Sequence, residues 1–159
     1  MASEATIATL AGVAVTLSFP FYLYGAWLVL DAEMVTWSVL VTHLQYIFVG
    51  LVLTTVPVVG WMIPRLAAQF GGLAVLHALL GLQAYAMLVF ALTGIVRIFQ
   101  AKYAANLYRD PEQDIDLNDL HENMGAWRGR LRVGVFGYVL FWLGAYLIGV
   151  LRYLRLYIG

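Results

Sequence analysis

Three histidines, His43, His77 and His121, are the side chains of this 159-residue sequence best suited to chemistry in apolar surroundings. A neutral imidazole ligates haem iron, relays a proton or hydrogen-bonds a quinone carbonyl. The amides Gln45 and Gln83 and an acidic run (Asp110, Glu112, Asp114, Asp116, Asp119 and Glu122) complete the candidates. Cysteine is absent, which excludes disulfides, thiolate metal sites and cysteine nucleophiles. No Gly-rich phosphate loop or nucleophile elbow occurs, and His121-Glu122 continues as Asn-Met-Gly, so the zinc-protease helix is missing too. A calcium loop opening at Asp110 would need Gly at its sixth position and an acid at its twelfth, where Ile115 and His121 stand. The acids therefore read as a solvated face, with docking to a basic partner as the other reading.

The elements that must position these residues are membrane spans. Hydrophobic residues make up 63% of the chain and charged residues 11%, with nine Lys/Arg against nine Asp/Glu. Soluble domains carry about 25% charged residues. The composition excludes an ordinary soluble globule, a disordered chain and a nucleic-acid-binding domain. Runs of about 20 apolar residues cross a bilayer as helices, because only a helix satisfies its own backbone polar groups in lipid. Four such runs occur, over about 6–30, 34–63, 73–99 and 133–151, and Arg97 is the only charged residue in them. The predicted fold is all-α: an integral membrane four-helix bundle with an amphipathic extension before the fourth helix. The acidic start Met-Ala-Ser-Glu and the length of the first run mark an anchor rather than a cleaved signal.

Pro20 and Pro57 predict interruptions of the first two helices, and Pro64 marks the end of the second. Within the polar stretch 101–132, Asp110-Pro111 signals a turn. Leu117, Leu120, Met124, Trp127 and Leu131 then share one helical face. Asp119 with Glu122 forms a capping box for this helix, and Asp114 or Asp116 are alternative starts. It runs on into the fourth span. Gly81, Gly94, Gly134, Gly137, Gly144 and Gly149 provide smooth surfaces for close helix packing.

Helical rise places the histidines at different depths. His43 lies about 8 Å from the middle of the second span, towards the long-loop side. His77 lies about 14 Å from the middle of the third, towards the opposite side. His121 falls about 31 Å out from the middle of the fourth, on the long-loop side. Each has two readings. For His43 they are a haem ligand or quinone contact, or a polar clamp between helices. His77 carries the same pair, with Gly81 one turn on leaving a slot for a flat ring. His121, among Asp119, Glu122 and Asn123, reads as solvated or as a ligand. Met87, close to mid-membrane, is the thioether whose depth suits a second haem ligand beside His43.

Charge sets the expected orientation. Arg97, Lys102, Arg109, Arg128, Arg130 and Arg132 lie on the long-loop side, against Arg65, Arg152 and Arg155 on the side of the termini. The positive-inside bias then puts 101–132 in the cytoplasm and both termini outside the cell membrane.

Several segments carry a resemblance: His43-Leu-Gln45, Leu76-His77-Ala-Leu-Leu-Gly81, His121-Glu-Asn-Met-Gly125 and Val135-Phe-Gly-Tyr-Val-Leu-Phe-Trp-Leu-Gly-Ala-Tyr146. Over about 35–155 the layout resembles small four-helix membrane families of the cytochrome b type and four-helix proteins associated with haem–copper oxidases. Such families place histidines near helix starts, so the resemblance implies haem b held by His43, His77 or His121. In this chain three arginines separate His121 from the fourth apolar run. The expected function is that of a non-catalytic accessory or assembly subunit of a respiratory or other membrane complex, without a cofactor or metal. Its expected partners are the lipid bilayer, a membrane protein or a second copy, and no nucleic acid. The alternatives are an electron-transfer protein binding haem b or quinone, and a small permease. Ion-coupled transport ordinarily uses carboxylates or basic groups inside the spans, and mid-span positions here hold none.

Overall fold

A computed structural model describes residues 3–33, 35–68, 71–110, 116 and 118–159. Among them the chain is all-α, with no strand. Helix α1 spans Glu4–Asp31 and α2 spans Trp37–Pro57. A π-helical turn, Val58–Met62, and the short α3, Ile63–Arg65, extend α2. Helix α4 covers Gly72–Ala104 and α5 covers Met124–Tyr157. All four long helical stretches, α2 being counted through Arg65, are long and apolar enough to cross a membrane. The chain is a membrane protein by that measure. Met34, Pro111, Glu112, Asp114, Ile115 and Leu117 lie outside the described residues.

Local chemistry explains the ends. Ser3 caps α1, its hydroxyl accepting from the Thr6 N–H at 3.2 Å. Pro20 sits inside an α1 that continues past it. Pro57 has no N–H to donate, and the chain answers with the wider turn that follows, where the Ile63 N–H reaches back to Val58 O. Helix α4 ends in a Schellman motif. Asn106 takes the left-handed conformation (φ 58°), its N–H donating to Tyr103 O and the Leu107 N–H to Lys102 O, each at 3.1 Å.

Helix α5 starts later than the sequence predicts, at Met124 rather than between 114 and 119. Asp116 is the cause. Its carboxylate accepts from the Asn118 N–H and its carbonyl from the Asp119 N–H, both at 2.9 Å, which closes a local turn in competition with a helix. From Met124, itself fully buried, α5 runs unbroken for 34 residues into the apolar stretch.

Two compact units make up the chain: Met1–Glu33 with Ser38–Ala78 and Ala145–Gly159, and Met34–Trp37 with Leu79–Gly144. In the first, Ala11, Ser18 and Gly25 are buried at intervals of seven along α1, the repeat of left-handed helix packing. A Cβ on Gly25 would lie 3.2 Å from Tyr46 Cβ, and one on Gly50 would lie 2.8 Å from the Tyr22 ring. Each glycine thus admits an aromatic residue of the facing helix. In the second unit Ala84, Ala91 and Ile98 repeat the seven-residue spacing on α4. There a Cβ on Gly134 of α5 would lie 2.6 Å from the Ala91 nitrogen, so the two backbones meet directly.

Candidate functional site

Each histidine is held by a different partner. His43 on α2 donates its Nδ1–H to Gly25 O of α1 at 2.7 Å. This bond joins two helices through a backbone carbonyl and sets the tautomer, so Nε2 keeps its lone pair. Around it Tyr46 packs edge-on against Tyr24, ring centroids 4.6 Å apart.

His77 on α4 meets Arg152 on α5 in the same unit. The guanidinium Nη1 donates to His77 Nδ1 at 3.1 Å, since arginine has donors only. The ring lies over Gly149, where a Cβ would be 3.1 Å from His77 Cε1. Gly149 is thus the glycine that seats the imidazole, while a Cβ added at Gly81 would meet nothing within 4 Å, so the space beside it is open. Between α5 and α1 run two further ties, Thr9 Oγ1 to Tyr153 OH at 2.8 Å and Thr16 Oγ1 to Tyr146 OH at 3.1 Å. Gly149 falls between those two levels and Gly25 well beyond them. His43 and His77 are thereby separated by about 18 Å along the helix direction, at 1.5 Å per residue.

His121 precedes α5 and is exposed. Its Nδ1 accepts from the Asn123 N–H at 3.0 Å, and its ring lies 4.3 Å from that of Trp127. The described acids Asp110, Asp116, Asp119 and Glu122 are all exposed, as are Gln45 and Gln83. Among the described residues no group of three or more His, Cys, Asp or Glu side chains is placed to hold a metal ion. Met87 packs its thioether against Gly137 of α5.

Two clusters carry no signal that spacing along the sequence could reveal. At one end of the first unit, Arg65 pairs with Glu4 at 3.4 Å and stands 5.2 Å over the Trp61 ring, while Tyr157 OH reaches Glu4 at 3.5 Å. The Trp61 indole N–H, within the π turn, is buried and has no partner among the described residues. In the second unit Trp37, Phe99, Tyr103 and Tyr108 form an aromatic cluster with centroids 5.7 to 6.3 Å apart. The Trp37 N–H donates to Tyr108 O at 3.3 Å, and Lys102 Nζ lies 5.8 Å over the Tyr108 ring. Burial pushes the Tyr108 hydroxyl above its ordinary range and keeps it neutral. Such aromatic groups beside lysine are typical of the membrane–water boundary.

No curated protein and no solved structure is detectably similar to the chain. The family is nevertheless defined, because one match takes in nearly every residue: the chain belongs to the DUF7321 family, a domain of unknown function, over residues 4–158.

Proposed function

We propose that the protein is a non-catalytic accessory or assembly subunit of a membrane complex, a respiratory complex being the class its sequence resembles. The observation that carries this reading is the use made of the polar side chains inside the spans. His43, His77, Thr9, Thr16 and Tyr22 each bond to another helix. Groups spent on fixing helix register give the molecule a defined shape, which is what a partner in an assembly recognises. The cytoplasmic placement of 101–132, with both termini outside, belongs to the same reading and rests on the arginines near that end. The test is a tagged chain expressed from its own locus, extracted in mild detergent and run on a native gel. It is expected to co-migrate with a larger assembly at fixed stoichiometry, and its deletion to lower the amount of that assembly. A chain that migrates alone, with every membrane complex intact after deletion, would refute the proposal.

One observation favours haem binding as a second reading. His43, with Nδ1–H bound to a carbonyl, offers Nε2 in the arrangement that axial ligands use. A six-coordinate haem needs another ligand across the ring, and His77 stands about 18 Å away along the helices. A reduced-minus-oxidised spectrum of protein from haem-replete cells separates the two readings. A Soret band at one haem per chain, lost in His43→Ala, would select the second.

A further inference from the structure

In the second unit a groove of about 580 Å³ opens along α4 beside the first turns of α5. Arg97, Gln100 and Arg130 form its polar end, and Val89, Leu92 and Val96 line the rest. Thr93, also in the groove, spends its hydroxyl on Phe90 O at 2.6 Å. The α4 residues recur at steps of three and four, so they make one continuous stripe with the charge at one end. Gly94 brings the two arginines together. A Cβ there would lie 3.3 Å from Arg130 Cβ, and Arg97 is one turn further along α4.

Depth decides what the charged end meets. Arg97 is seven residues from the end of α4 and Arg130 six from the start of α5. Both therefore stand about 10 Å inside their helix ends. Helices of 33 and 34 residues are about 50 Å long and exceed a hydrocarbon core of about 30 Å by roughly 10 Å at each end. The guanidinium groups thus lie at headgroup level, and the apolar stripe points into the hydrocarbon. Among the described residues neither arginine has an ion-pair partner, although Asp110, Asp116, Asp119 and Glu122 belong to the segment leading into α5. Lys102, Arg128 and Arg132 add positive charge to the same helix ends.

We propose that this groove is a binding site for an anionic phospholipid. Arg97 and Arg130 hold the phosphate, Gln100 donates to a headgroup oxygen, and an acyl chain follows Val96, Leu92 and Val89. Two cations in a notch, without an ion-pair partner among the described residues, select a negative headgroup. The attached apolar stripe favours a lipid over a free phosphate or an acidic peptide, neither of which would cover it.

Native mass spectrometry of the full-length chain in detergent tests the proposal, with phosphatidylglycerol and phosphatidylcholine of matched acyl chains as probes. Phosphatidylglycerol is expected to stay bound where phosphatidylcholine leaves. Removing both charges in Arg97→Gln/Arg130→Gln should lower its retention about 30-fold. Arg155→Gln, at the other end of α5, should leave retention unchanged. Unchanged elution and thermal transition show that the double variant is folded, and if it does not fold the two-lipid comparison on the wild type decides alone. Equal retention of the two lipids, full retention by the folded double variant, or displacement by glycerol phosphate at matched concentration would each overturn the assignment.

Discussion

His77 and Arg152, 75 residues apart in sequence, meet at 3.1 Å across α4 and α5, with the imidazole seated on Gly149 one turn before the arginine. The contact joins a hydrogen bond to a close helix approach. Removing the glycine's free space would push away the ring that the arginine holds. Bonds of this kind between spanning helices contribute about 0.5–2 kcal/mol.

A double-mutant cycle measures this pair directly. His77→Ala, Arg152→Ala and the combined variant, unfolded in detergent, should give a coupling free energy of about 1 kcal/mol. Arg152 makes further contacts, so its single variant should lose more than the coupling term. Strict additivity would show that the bond contributes nothing to stability.

Two glycines on α4 and α5 should respond in opposite directions. Gly134→Ala drives a methyl into the Ala91 backbone and should cost about 1–3 kcal/mol, because backbone cannot step aside as a flexible side chain can. Gly81→Ala meets nothing within 4 Å and should gain up to about 1 kcal/mol from helix propensity alone. Thermal unfolding followed by tryptophan fluorescence distinguishes them. Equal transition temperatures would contradict the close approach of α4 and α5.

The turn that ends α4 depends on a residue tolerant of positive φ. Asn106→Gly should leave stability unchanged or slightly higher, whereas Asn106→Val should cost about 1–2 kcal/mol through the clash of its Cβ in that conformation. Since this turn leads to Leu107 and Tyr108, both buried, the valine variant should also loosen the aromatic cluster. An increase in tyrosine exposure, read by solvent-perturbation absorbance, checks that consequence.

Topology is tested by labelling with a membrane-impermeant thiol reagent, on a chain that has no cysteine of its own. A cysteine at Asp119 should react only after permeabilisation, and one at Gly159 should react in intact cells. The reverse pattern would mean that Arg65, Arg152 and Arg155 govern insertion rather than the six cations on the long-loop side.

The four long helices, and the continuity of the fourth with its polar leader, follow from the sequence alone. Backbone hydrogen bonding in a helix is local, each N–H reaching a carbonyl four residues back, so an apolar run of sufficient length declares its structure wherever its neighbours lie. Rise per residue likewise separates His43 and His77 by about 22 Å along the membrane normal before any contact is known, close to the roughly 18 Å that the helix contacts give. The start of α5 was less legible. Asp116, Asp119 and Glu122 satisfy a capping pattern, yet a side-chain turn at Asp116 takes the amides first. Which residue meets which across helices could not be read at all. That His77 finds Arg152 rather than a second histidine, that Gly149 seats its ring, and that Arg97 and Arg130 share one groove depend on the rotation and register of helices. Those are decided where small residues let surfaces touch, as Gly94, Gly134 and Gly149 do. Such contacts bring together residues 30 to 75 positions apart, a distance over which no helical periodicity carries information.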